Sequence, residues 1–158
     1  MKNGMINFGI MERVIFGEAT AVAIAKEAER IGAEKIFLLV GGTLNRETDE
    51  VEKIRSALGT RFCGLHDNMP AHSPRDAVIE CANAARESET DLLVTFGGGS
   101  VTDGGKAVTI CLEHGITDIN GLEPYRTTVD ETGKRHFPEF SAPTVRQIAV
   151  PTTLSGGE

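Results

Sequence analysis

The segment "DLLVTFGGGSVTDGGKA" (residues 91–107) decides the fold. Its first half is a short apolar run, the pattern of a strand buried on both faces. Its second half carries five glycines, one serine, one aspartate and one lysine, and passes into a helical pattern that runs to about His114. Glycine is unfavourable in regular structure, so a cluster between a buried strand and a helix needs a cause. Two causes are open. With no side chains at Gly97, Gly98 and Gly99, a ligand could reach the backbone N–H groups and the positive end of the helix dipole. Alternatively, the glycines only permit tight strand–helix packing. Ser100, with Asp103 three residues on, reads as a capping pair. Gly104 and Gly105, read as first-turn residues, each lower helix propensity by about 1 kcal/mol relative to alanine. That penalty fits a ligand or a neighbouring strand coming very close.

Neither of two named phosphate motifs applies. Counting G-x-G-x-x-G from Gly97 and Gly99 puts Thr102 at the third glycine, and the segment follows what reads as the fourth strand rather than the first. In the pattern G-x-x-x-x-G-K-[ST], Gly105-Lys106 fits, but Ser100 and Ala107 occupy the positions of the first glycine and the hydroxyl.

Outward from this segment, strand and helix patterns alternate. "ERVIFG" (12–17) reads as a short strand, and 18–32 as a helix with Ala21, Ile24, Ala25, Ala28 and Ile31 on one face and Gly32 as its cap. "KIFLLVGG" (35–42) is a buried strand, 45–58 a helix, and "RFCGLHD" (61–67) a weaker strand. In the next helix Ser73 reads as the N-cap, Pro74 as the first helical residue and Asp76 as the partner in a capping box. Beyond Gly115 the alternation breaks. Residues 122–143 read as an insertion, either a β-hairpin turning at Gly133 or an irregular surface segment. "RQIAV" (146–150) returns to strand character. The expectation is an α/β fold, a parallel sheet with helices on both faces.

Composition narrows the function. The 158 residues suit one domain, and the net charge of -7 without a Lys/Arg cluster argues against nucleic acid. No apolar run is long enough to span a bilayer, and the N-terminus lacks the pattern of a signal peptide. Cys63, Cys81 and Cys111 lack C-x-x-C spacing and read as reduced, buried residues of a cytoplasmic protein. None of the four histidines is spaced i, i+4 with another, so a metal site from this chain alone is not expected.

Taken together, "GGGSVTDGGKA" (97–107) resembles the GGGSxxDxxK segment of the iron-containing (group III) alcohol dehydrogenases. "VIFGEAT" (14–20) resembles the strand-turn that opens that family, and "PTTLSGGE" (151–158) resembles its PTT-x-GTGSE signature, with LSGGE departing from GTGSE. "MPAHSP" (69–74) is closer to the HTP of maleylacetate reductases than to the PNP of typical alcohol dehydrogenases.

The resemblance implies a Rossmann-like, NAD(P)-binding N-terminal domain of the dehydroquinate-synthase-like fold, filling residues 1–158. It also implies a C-terminal helical domain, absent from this chain, that supplies an aspartate and three histidines to a divalent metal, iron or zinc. By the same match Gly97, Gly98, Gly99 and Ser100 hold the pyrophosphate. Thr152, Thr153 and Ser155 line the adenine and ribose side, and Asp103 and Lys106 lie toward the ribose and nicotinamide. Gly41 stands where NAD-preferring relatives carry an aspartate. Without that carboxylate NADP is admissible, although no basic neighbour in the sequence demands it, and the choice stays open.

His66, His72, His114 and His136 match no ligand position and read as surface or loop residues. The implied function is the cofactor-binding half of a metal-assisted alcohol dehydrogenase or carbonyl reductase, a homodimer when complete, inactive as this chain alone. A free-standing nucleotide- or phosphate-binding module is the alternative.

Overall fold

The computed structural model describes residues 11–154. Four parallel strands form the sheet: β1 (Ile36–Val40), β2 (Phe62–His66), β3 (Leu92–Gly97) and β6 (Arg146–Pro151), in spatial order β2-β1-β3-β6. β1 and β3 are buried along their whole lengths, as their unbroken apolar runs require of strands covered on both faces. Alternate residues feed two cores. Ile36, Leu38 and Val40 of β1 with Leu92, Val94 and Phe96 of β3 pack under α1 (Thr20–Ile31) and α3 (Glu50–Leu58). Phe37, Leu39 and Leu93 face the opposite way, under α4 (Arg75–Glu87) and α5 (Gly99–Glu113). The chain is therefore an α/β domain with helices on both faces of a parallel sheet.

The order of strands sets the ligand geometry. From β1 the chain leaves toward β2; from β3 it leaves toward β6, on the other side. Right-handed crossovers put these two connections on opposite faces, which leaves a crevice between the carboxyl ends of β1 and β3. Asp91 anchors the start of β3, its carboxylate accepting from the backbone N–H groups of Glu34 (2.8 Å) and Lys35 (3.0 Å).

Several local expectations yield to tertiary contacts. Residues 12–16 form no strand: Val14 and Phe16 are exposed, and Glu12 pairs instead with Arg30 and Arg146. β3 is accordingly the third described strand, not the fourth. The helix expected over 45–58 is two helices, α2 (Gly42–Glu47) and α3, because Thr48 is extended and its hydroxyl donates to the Leu44 carbonyl at 2.6 Å. α1 ends as expected, with Gly32 left-handed at φ 71°. α4 starts at Arg75 with Pro74 as its N-cap, so the expected capping box does not form. Ser73 adopts φ 47° and donates its hydroxyl to the Ser100 carbonyl at 2.6 Å, while Asp76 accepts from the N–H of Ala77.

After α5, a 3-10 segment (Ile119–Tyr125) leads into an antiparallel pair, β4 (Thr128–Val129) and β5 (Arg135–His136). Gly133 takes φ 83° in its turn. Asp130 accepts from the Thr132 hydroxyl, the His136 ring and the N–H groups of Lys134 and Thr132, and these bonds, the hydroxyl's first, hold its carboxyl down to about 2.

Candidate functional site

Three strand ends meet above the sheet. The N–H of Gly41, after β1, donates to the Phe96 carbonyl of β3 (2.9 Å), and the N–H of Thr152, after β6, donates to the Gly97 carbonyl (2.9 Å). Gly97, Gly98, Gly41, Thr152 and Thr153 are thereby brought together, with Gly99 opening α5. A β-carbon on Gly97 would stand 2.8 Å from Val101 Cγ2, so the strand-to-helix turn closes only with glycine there. One on Gly98 would stand 3.2 Å from Thr153 Oγ1, the nearest described group, in a part of the crevice lined by two loops. Ser155 lies outside the described residues.

Helix α5 is capped by backbone rather than by a side chain. Gly98 is its N-cap, with its carbonyl accepting from Val101 (2.9 Å) and Thr102 (3.1 Å), and no side chain caps it. Ser100 is not the cap expected from the sequence. It is the second residue of the helix, and its hydroxyl accepts from the His72 N–H at 3.0 Å. The loop 69–74 is thus fastened to the start of α5 from the side by Ser73 and Ser100. Asp103 and Lys106 sit further along the helix, 60% and 51% exposed, with 3.9 Å between their charged atoms.

Gly104 and Gly105 belong to the second turn, not the first, and the question of what comes close to them is decided there. A β-carbon on Gly105 would lie 2.3 Å from Thr95 Cγ2 and 2.9 Å from Gln147 Nε2; one on Gly104 would lie 3.0 Å from Met69 Cε. Neighbouring protein stands close to both: the buried Thr95 side chain requires glycine at 105, while at 104 only the flexible Met69 side chain comes near. Gln147 donates from the sheet edge to the Thr95 hydroxyl (2.9 Å) and the Thr102 carbonyl (3.1 Å), a polar tie under the helix. The Thr102 hydroxyl is buried there without a partner among the described residues.

Arg46 was not singled out by the sequence. A β-carbon on Gly42 would stand 2.7 Å from its Nη1 and 2.9 Å from the Asp67 carbonyl oxygen. The guanidinium is folded back against Gly42, so a basic group stands at the β1–α2 turn, one residue beyond Gly41. A helix read as starting at residue 45 hides this; the break at Thr48 makes Arg46 the last-turn cation of a short helix that starts at Gly42.

Among the described residues, the titratable groups elsewhere show no catalytic arrangement. Burial pushes the Cys81 thiol up to about 12 and the Cys111 thiol to about 11, so both stay protonated core residues. Cys63 is only half-buried, less covered than expected. His66 is buried at the end of β2 and is not the surface or loop residue anticipated, whereas His114 stands in the turn that ends α5, packed against Tyr125 with its Nε2 buried. Among the described residues no three His, Cys, Asp or Glu side chains gather as a metal site, and no helix is long and apolar enough to cross a membrane.

A parallel sheet whose strand order reverses between two glycine turns defines a nucleotide-holding class of α/β domain. The family model for iron-containing alcohol dehydrogenases matches residues 11–158, and the chain belongs to that family. Similar proteins include maleylacetate reductase 1 of Rhodococcus opacus, 33% identical over 92% of this chain and 31% of its own length. Dehydrogenase FUM7 of Gibberella moniliformis is 28% identical over 86% of this chain and 32% of its own length. A solved structure of a putative alcohol dehydrogenase from Ralstonia eutropha superposes with TM-score 0.63 at 28% identity, covering 94% of this chain and 43% of that one. The chain thus spans about a third of the length of these curated relatives.

Proposed function

We propose that this chain is the dinucleotide-holding half of an NAD(P)-dependent, metal-assisted dehydrogenase or reductase acting on an alcohol/carbonyl pair. One observation carries the reading: the glycine turns of β1 and β3 touch where the strand order reverses, with Thr153 of the β6 loop against Gly98. A diphosphate placed there meets the amino end of α5, where backbone N–H groups and the helix dipole favour an anion without any lysine. Gly97, Gly98, Gly99 and Ser100 form that cradle in this reading, and Thr152, Thr153 and Ser155 flank the nucleoside. Asp103 and Lys106 lie toward the ribose–nicotinamide end.

When bound, the nicotinamide exchanges a hydride with the substrate carbon. This chain's own part is to fix the dinucleotide and offset its phosphate charge. The described residues do not fit a metal, so no step through iron or zinc is assigned to them. Ligands for the metal and the walls of the substrate site fall to the C-terminal helical domain of a complete, homodimeric enzyme.

Calorimetric titration of the 158-residue chain with NAD, NADP and ADP-ribose tests the reading. Binding is expected, is abolished by Gly98→Val, and is accompanied by no alcohol oxidation when iron or zinc is added. Absence of binding, or turnover by the chain alone, would refute it.

A further inference from the structure

The two nucleotide types differ by one phosphate on the adenosine ribose, and the turn after β1 carries the group that distinguishes them. We propose that Arg46 binds this 2′-phosphate and that the chain selects 2′-phosphorylated dinucleotides. The proposal rests on the dinucleotide reading above and adds the residue that sets its preference.

The argument starts from position. If the diphosphate sits at the β3 turn, the adjoining ribose reaches the neighbouring strand end, roughly 4.8 Å away in a sheet. That neighbour is β1, whose Gly41 backbone is bonded to Phe96. A carboxylate at the ribose accepts from both hydroxyls and repels a 2′-phosphate, whereas an arginine accommodates it. Positions 41 and 42 are glycines, so no carboxylate projects from the turn itself. The Arg46 guanidinium lies against Gly42 instead, close enough that a β-carbon there would collide with Nη1 at 2.7 Å. Gly42 therefore leaves room for the cation and for the Asp67 carbonyl oxygen, which would stand 2.9 Å from the same β-carbon.

Charge pairing points the same way. The cations of the next helix are already matched: Lys53 with Asp49 and Glu50, Arg55 with Glu52. Among the described residues no carboxylate forms an ion pair with exposed Arg46. Asp67, whose carbonyl oxygen borders Gly42, has its carboxylate turned to another partner, its Oδ2 accepting from Asn45 Nδ2 at 2.7 Å. A phosphomonoester brings roughly two negative charges and three acceptor oxygens, which a planar guanidinium can take two at a time. The unphosphorylated ribose offers Arg46 only neutral hydroxyls.

The test titrates the full chain with ADP-ribose and with 2′-phospho-ADP-ribose at low and high salt, and repeats this on Arg46→Ala, Arg46→Lys and, as a control cation, Lys53→Ala. The expected result is a preference of roughly tenfold or more for the phosphorylated ligand, narrowing with salt. The ratio collapses toward one in R46A, persists in part in R46K, and is unchanged in K53A; circular dichroism verifies that each variant is folded. Equal affinities, tighter binding of ADP-ribose, or a ratio indifferent to R46A would overturn the assignment of Arg46 while leaving the dinucleotide reading in place. Failure of both ligands to bind would remove that reading and this proposal with it.

Discussion

Gly98 and Gly105 stand seven residues apart in one segment, yet they exist for different reasons. Gly105 is pressed against the sheet, with Thr95 and Gln147 where its side chain would be. Gly98 faces a crevice in which Thr153, on an exposed loop, is the nearest described obstacle. The first difference is one of packing and the second of access. A glycine-rich run is therefore not a single motif, and its residues separate when stability and binding are measured on the same variants.

The largest expected effect is at Gly105. A valine there must displace buried Thr95 of a central strand, and we expect a stability loss of about 3 kcal/mol, at the upper end of overpacking penalties. Urea denaturation measures it; a loss below about 1 kcal/mol would break the comparison at this end. Gly98→Val should do the reverse. Its neighbours can yield, so stability stays within about 1 kcal/mol of the parent, while ADP-ribose affinity falls by roughly tenfold or more because the side chain fills the crevice.

Smaller effects sharpen the contrast. Gly104 meets only the flexible end of Met69, so Gly104→Ala sets a modest clash against a helix-propensity gain of about 1 kcal/mol, and should be near neutral in the same denaturation experiment. Thr102→Val removes the unpartnered buried hydroxyl while keeping its shape. We expect no loss and a gain of up to about 1 kcal/mol. A clear loss in thermal melting would mean that this hydroxyl has a partner in solution.

The sequence made the sheet legible because β1 and β3 are buried on both faces, and that demand writes an unbroken apolar run. α1 was equally plain, its apolar stripe ending at a glycine that does turn left-handed. The failures share a cause: local signals were outbid by contacts far away in the chain. Ser73 and Asp76 spell a capping box, but the Ser73 hydroxyl is used to hold Ser100. Residues 12–16 have strand-forming side chains without a strand partner among the described residues. The phosphate cradle was half legible. Its glycines stand out, whereas the division of labour between Gly98 and Gly105 depends on Thr153, Thr95 and Gln147, from other strands. Arg46 was hidden because its place depends on a helix break that periodicity passes over.

The most direct test of the cradle is an amide-resolved NMR titration of the isotopically labelled chain with ADP-ribose. The account predicts the strongest shifts at Gly97, Gly98, Gly99 and Ser100, with Gly41, Thr152 and Thr153 following, and little change at Gly105 or along the hairpin of β4 and β5. Shifts centred on that hairpin, or none at the three strand ends, would contradict it.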